Sequence, residues 1–172
     1  YAHGIPFFCV SIALYSRSLP GVVAGVVFDP MHDEMFSAWR GGGSTLNGRP
    51  IRVSGIDSLD IAFLATGFPY DRSDPRRNNL RQFTGFSPKV QGIRRIGSAA
   101  MDLCYLAAGR FDGYWERNLQ PWDIAAGLIL VREAGGTVSG IEGHDNALTT
   151  GHIVCGNETI QRELVKILKP LG

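Results

Sequence analysis

The stretch Gln120-Pro121-Trp122-Asp123-Ile124-Ala125-Ala126-Gly127 sets a single carboxylate in the first turn of an otherwise apolar helix. Two readings of Asp123 stand side by side. As a cap, its side chain accepts orphan backbone N–H groups and meets the positive end of the helix dipole. As a metal ligand, it is a hard oxygen donor held on a rigid element just after Pro121-Trp122. The tetrapeptide Trp-Asp-Ile-Ala alone favours the cap, and what lies upstream shifts the balance.

Upstream, Arg94-Arg95-Ile96-Gly97-Ser98-Ala99-Ala100-Met101-Asp102-Leu103 reads as a strand end passing into a small-residue helix that stops at Ala107-Ala108-Gly109-Arg110. Phe111-Asp112-Gly113-Tyr114-Trp115-Glu116 then gives a short aromatic strand ending in an acid. The helix opened by Pro121-Trp122-Asp123 closes at Glu133-Ala134-Gly135-Gly136. This order resembles the inositol monophosphatase family. Further matches are His3-Gly4-Ile5-Pro6-Phe7-Phe8-Cys9-Val10-Ser11-Ile12-Ala13, Val26-Val27-Phe28-Asp29-Pro30-Met31, Gly41-Gly42-Gly43-Ser44-Thr45-Leu46-Asn47-Gly48 and Ala65-Thr66-Gly67-Phe68-Pro69-Tyr70. The resemblance runs from Tyr1 to about Leu168, with Asp71 to Val90 contributing nothing to it.

The resemblance implies an α/β (α+β layered) fold, the αβαβα sandwich of that family without its N-terminal helices and first strands. It implies a magnesium-dependent, lithium-sensitive, cytoplasmic and dimeric phosphatase that hydrolyses inositol monophosphates with a metal-activated water. On that likeness Asp123 completes the coordination of the second, leaving-group-side magnesium ion. Glu116 falls where the family accepts hydrogen bonds from substrate hydroxyls, and Gly97, Ser98 and Ala99 fall on the substrate side of the pocket. Small residues there also suit helix packing, and Glu116 without the likeness is a surface acid. The family's upstream Glu and its Asp-Pro-(Ile/Leu)-Asp-Gly-Thr motif, which supply most metal ligands, are not in this sequence. The chain therefore reads as the C-terminal two-thirds of such an enzyme, inactive alone and partnered by a missing N-terminal segment or second chain. Residues 1–56 would be the remainder of an antiparallel-sheet lobe and 57–172 the substrate-side lobe. Two alternatives stay open. One keeps the fold with another small phosphate ester (histidinol phosphate, fructose 1,6-bisphosphate or a 3′-phosphoadenosine nucleotide), and the other is a non-catalytic interaction or oligomerisation module.

Composition fits a folded domain: of 172 residues 44% are hydrophobic and 19% charged, enough to bury a core and too ordinary for disorder. A net charge of +1 without blocks of like charge gives no case for nucleic acid or anionic membrane. Arg72, Arg76, Arg77 and Arg81, interleaved with Asp71 and Asp74, read as a solvated helix face. Cys9, Cys104 and Cys155 stand apart in apolar runs, which suggests buried free thiols rather than disulfides or zinc ligands. His144 and His152 read as loop residues.

Two regimes of pattern follow. Phe7 to Tyr15, Gly21 to Phe28 and Glu34 to Ala38 alternate like strands of a meander, and Gly41-Gly42-Gly43 and Asn47-Gly48 turn a short ribbon. The glycine run is not a phosphate loop, because no Gly-Lys-Ser/Thr and no helix follow it. Beyond Ser58 strands and helices alternate: Ile61 to Ala65, a helix from about Pro75 to Phe86, Gly92 to Ile96, a helix Ala99 to Ala108, Gly113 to Glu116, a helix Trp122 to Glu133, Gly136 to Ser139, Ile153 to Cys155 and a helix Glu158 to Leu168. Two sheet layers with helices between and outside them are expected, with one sheet face left apolar and bare. Of the flanking residues, Asp102 reads as a first-turn or surface acid and Trp122 as core or hinge. One of Arg94 and Arg95 faces the pocket, the strand period leaving open which.

Overall fold

The computed structural model describes residues 3–19, 21–69, 73–74 and 78–171. Its first sheet is a meander of β1 (Val10–Ser16), β2 (Gly21–Asp29), β3 (Glu34–Trp39), β4 (Gly43–Leu46) and β5 (Arg49–Ile51), antiparallel throughout and in sequence order. The period of two separates its faces. Val27, Phe36 and Ala38 point inward and are buried, while Val10, Ile12, Leu14, Val26, Met35 and Trp39 stand exposed on the outer face.

The second sheet holds β6 (Phe63–Thr66), β7 (Gly92–Arg94), β8 (Gly113–Glu116), β9 (Thr137–Ser139) and β10 (Ile153–Gly156) in the order β7-β6-β8-β10-β9. Pairings of β6 with β7 and β8 are parallel, whereas β10 runs antiparallel to β8 and β9. The helices are α1 (Leu80–Phe86), α2 (Ala99–Ala107), α3 (Pro121–Glu133), a short α4 (Ala147–Thr150) and α5 (Glu158–Leu168). Between the sheets lie α2 and α3; α5 covers the far face of the second sheet, and α1 packs beside it. The layered α/β arrangement is the one expected. Strand ends shift by one to three residues, α4 falls where only a loop was anticipated, and α1 starts at Leu80 rather than near Pro75, because Asn79 holds a left-handed backbone that a helix cannot continue through. Pro75, Arg76 and Arg77, along with Asp71 and Arg72 of the mixed-charge cluster, lie outside the described residues; Arg81 is exposed on α1.

One apolar cluster joins Val27 and Phe36 of the first sheet to Met101, Leu103, Ile124, Leu130 and Ile153, so the helical layer is glued on both sides. Each such fully buried aliphatic side chain contributes ~1.5–3 kcal/mol. Two glycines set the spacing. A Cβ on Gly25 would come within 2.8 Å of Ile129 and 2.9 Å of Ala126 on α3, and a Cβ on Gly127 within 2.5 Å of Leu103 on α2. The glycine run is spoken for internally: Gly41 and Gly43 donate their N–H groups to the Glu133 carboxylate at 2.9 and 3.0 Å, tying the β3–β4 turn to the end of α3. All three cysteines are free thiols, Cys104 and Cys155 buried and Cys9 half-buried.

Candidate active site

Asp123 occupies the third position of α3, and its Oδ2 accepts the Gln120 backbone N–H at 2.8 Å. The capping reading of this residue is therefore realised. The same carboxylate also lines a cavity of about 460 Å³, so the cap fixes an acid at the wall of a pocket. Glu116, Gly97, Ser98 and Ala99 line that cavity too. All five residues singled out in the sequence meet there.

Glu116 ends β8 and is 9% exposed, and the Tyr114 hydroxyl, beneath it on the same strand, donates to its Oε2. Its carboxyl is pushed up to about 7, by burial first and by the nearby charge of Asp123, against the Tyr114 hydrogen bond and Arg95, which pull it down. Gly67, where the chain leaves β6, lies so close that any Cβ there would collide with the Glu116 carboxylate. On the opposite wall, Ser98 caps α2 with extended backbone, and its hydroxyl lies 3.7 Å from the Cys9 sulfur. The N–H groups of the first turn of α2 precede the first intrahelical bond, made by Asp102 to the Ser98 carbonyl at 2.9 Å.

The two arginines part at the end of β7, where Arg95 already lies past the strand. Arg94 turns away and stacks over the Phe63 ring at 4.6 Å, while Arg95 lines the cavity with its guanidinium 6.0 Å from the Phe68 ring centre. Two expectations need correcting. Trp122 is not core: it is 72% exposed at the cavity rim. Asp102 is the first-turn acid of α2 but is not at the surface. It is 1% exposed, since α2 lies between two sheets and has no solvent face. Its carboxyl is pushed up to about 8, by burial and then by Glu116. His144 is exposed in a loop, and His152 is half-buried with its Nδ1 accepting the Asn118 N–H at 3.2 Å.

Two acids of one sign facing one cavity, one of them driven toward neutrality by burial first and by the other's charge second, form a donor set that a hard cation would relieve. Magnesium takes hard oxygen donors of this kind, and Asp123 is a carboxylate that could serve as one. Among the described residues, no three His, Cys, Asp or Glu side chains gather closely enough to hold a metal ion. Asp123 can thus supply only part of a coordination shell.

A layered two-sheet fold with an acid-lined pocket between sheet ends and helix N-termini offers a cleft for a small polar ligand. The chain belongs to the inositol monophosphatase family, whose family model matches residues 1–171. It is 47% identical over its full length to the inositol-1-monophosphatase of Mesorhizobium japonicum and 45% identical over 99% of its length to the Nus factor SuhB of Pseudomonas aeruginosa. The inositol monophosphatase structure from Anabaena superposes with a TM-score of 0.94 at 44% identity, covering 99% of this chain and 70% of that one. The chain spans 64% and 63% of the lengths of the first and second of these relatives.

Proposed function

We propose that the complete protein is a magnesium-dependent, lithium-sensitive phosphatase that hydrolyses inositol monophosphates, myo-inositol 1-phosphate in the first instance, to inositol and phosphate. In this reading residues 57–172 form its substrate-side lobe, and residues 1–56 belong to a sheet lobe that, in relatives of greater length, further chain would complete. The observation that carries it is the convergence of Asp123, Glu116 and the Gly97-Ser98-Ala99 turn on one cavity. Membership of a phosphatase family supports the reaction type, and the inositol-1-monophosphatase relative supports the substrate.

Bound magnesium supplies charge neutralisation at the phosphoryl oxygens and a water of lowered pKa. Asp123 would hold it on the leaving-group side, and the cap to Gln120 keeps that carboxylate from swinging away. Glu116, once ionised, accepts hydrogen bonds from ring hydroxyls; the Arg95 charge favours the ionised form. The N–H groups opening α2 can donate to a hydroxyl or phosphate oxygen on the opposite wall. Such an enzyme works as a cytoplasmic homodimer. No helix among the described residues is long and apolar enough to cross a membrane.

The test is phosphate release from inositol 1-phosphate with magnesium, on the protein carrying the segment its relatives have beyond this chain. Asp123→Asn should lower kcat by about a hundredfold or more, and Glu116→Gln should raise KM. An Asp123→Asn enzyme at full rate refutes the metal assignment. A second reading, a non-catalytic interaction module, draws on the Pseudomonas relative named as a Nus factor. Absence of any magnesium-dependent stabilisation or turnover in the complete protein would favour it.

A further inference from the structure

We propose that Asn79 is a positioning residue for Glu116, acting through a buried amide clamp that joins the end of β6 to the end of β8. The inference rests on the reading of Glu116 as the acceptor of substrate hydroxyls. Asn79 precedes α1 with its backbone in the left-handed region, φ 63°, and is 1% exposed. Asn is among the few residues with a Cβ that adopt this conformation readily.

All of its side-chain polarity is engaged. Nδ2 donates to the Thr66 hydroxyl at 2.9 Å and to the Gly67 carbonyl at 2.6 Å, while Oδ1 accepts the Trp115 indole N–H at 2.9 Å. Thr66 in turn donates its own hydroxyl to the Trp115 carbonyl at 2.7 Å. An indole N–H can only donate, so the amide oxygen must face Trp115, and the nitrogen must then face the two oxygens. Aspartate at this position would suit the indole but set a carboxylate against two acceptors; leucine would satisfy none.

The place of the clamp gives it a role beyond filling the core. Parallel pairing of β6 with β8 ends at Thr66 opposite Trp115, one residue short of Glu116. Beyond that point Asn79 takes over from the ladder, holding Gly67 on one strand and Trp115 on the other. Gly67 is the residue pressed against the Glu116 carboxylate, and Trp115 is the residue before it. Where the amide holds these two is where Glu116 stands. Phe83 of α1 also packs on Phe68 of the cavity wall, ring centres 5.8 Å apart, so α1 supports the cavity from two sides.

The experiment compares Asn79→Ala and Asn79→Asp in the complete protein on two phosphate monoesters, inositol 1-phosphate and p-nitrophenyl phosphate, which has no hydroxyl for Glu116 to hold. For inositol 1-phosphate kcat/KM should fall about tenfold, mostly through KM, with p-nitrophenyl phosphate changed less than about twofold. In a Glu116→Gln background the Asn79 substitution should cost nothing further on inositol 1-phosphate. Equal losses on both substrates, or full additivity with Glu116→Gln, would overturn the proposal. Should Asn79→Ala fail to fold, Trp115→Phe removes one bond of the clamp with the ring retained and should show the same selectivity in weaker form. If Glu116→Gln itself leaves inositol 1-phosphate turnover intact, the role given to Glu116 falls, and the clamp is judged by the carbon resonance of the Glu116 carboxyl. That resonance should move in Asn79→Ala, and an unmoved one overturns the clamp.

Discussion

Asp102 sits one turn inside α2, and its Oδ1 has no hydrogen-bond partner among the described residues. A carboxyl raised to about 8 in the folded chain, against about 3.9 when unfolded, binds its proton more tightly in the native state. The sign is fixed by linkage: the stability this proton confers is complete below the unfolded value and is lost as pH rises through about 8. Asp102→Asn keeps the shape and removes the titration. Its melting temperature relative to the parent should therefore climb between about pH 5 and about pH 9; a constant difference across that range would rule the buried acid out as the cause. A lone acid in an apolar helix made Asp123 legible in the sequence, whereas Glu116 stood out only through the family likeness. The surroundings of Asp102 are as apolar, yet a helix enclosed by two sheets shows no polar face by which depth could be judged. Asn79 was hidden for another reason. The pattern from about Pro75 reads as a helix running through Asn79, whereas α1 starts at Leu80, and the partners of Asn79 come from strands distant in sequence.

Helix α3 is the element on which both sheets depend, and its close approach to β2 is a packing fact with a price in side-chain volume. Gly25 admits the helix because nothing projects from its Cα, and the Ala126 backbone and Ile129 side chain fill the space. Gly25→Ala must push α3 outward or distort β2, costing ~1–3 kcal/mol by overpacking. A lowered denaturation midpoint with an unchanged m-value would show it, and a neutral effect would mean the helix can move freely. Because α3 also carries Asp123, the same variant should impair magnesium-dependent turnover in the complete protein beyond what its stability loss explains. Strand and helix types were readable from period and turn chemistry, and α5, bounded by Asn157 and amphipathic, was read to the residue. The strand ends were not, since a ladder stops where its partner stops and that partner lies elsewhere in the chain.

At the scale of the molecule, the first sheet presents a bare apolar face. Cross-strand register lines up Val10, Phe28 and Met35 in one row, Ile12, Val26 and Ser37 in the next, and Leu14, Ala24 and Trp39 in a third. Ile12, Leu14 and Trp39 are 64%, 61% and 57% exposed, far more than scattered surface apolar residues amount to. β1 is moreover an edge strand, with a row of backbone groups open to pairing. A covered core on one side of the sheet and uncovered side chains on the other mean that this chain by itself should associate through that face. Sedimentation should show mass rising with concentration, and Ile12→Lys with Leu14→Lys should return the chain to a monomer, because lysine at an outward position of an edge strand opposes both stacking and edge pairing. The pair should leave the fold intact, since neither side chain contributes to the buried cluster between the sheets. A parent chain that stays monomeric at high concentration would show that water tolerates this face. The same two lysines in the complete protein separate the remaining cases: loss of stability there would mean that the face is buried in the native enzyme, and indifference would mean that it is a surface open to other partners.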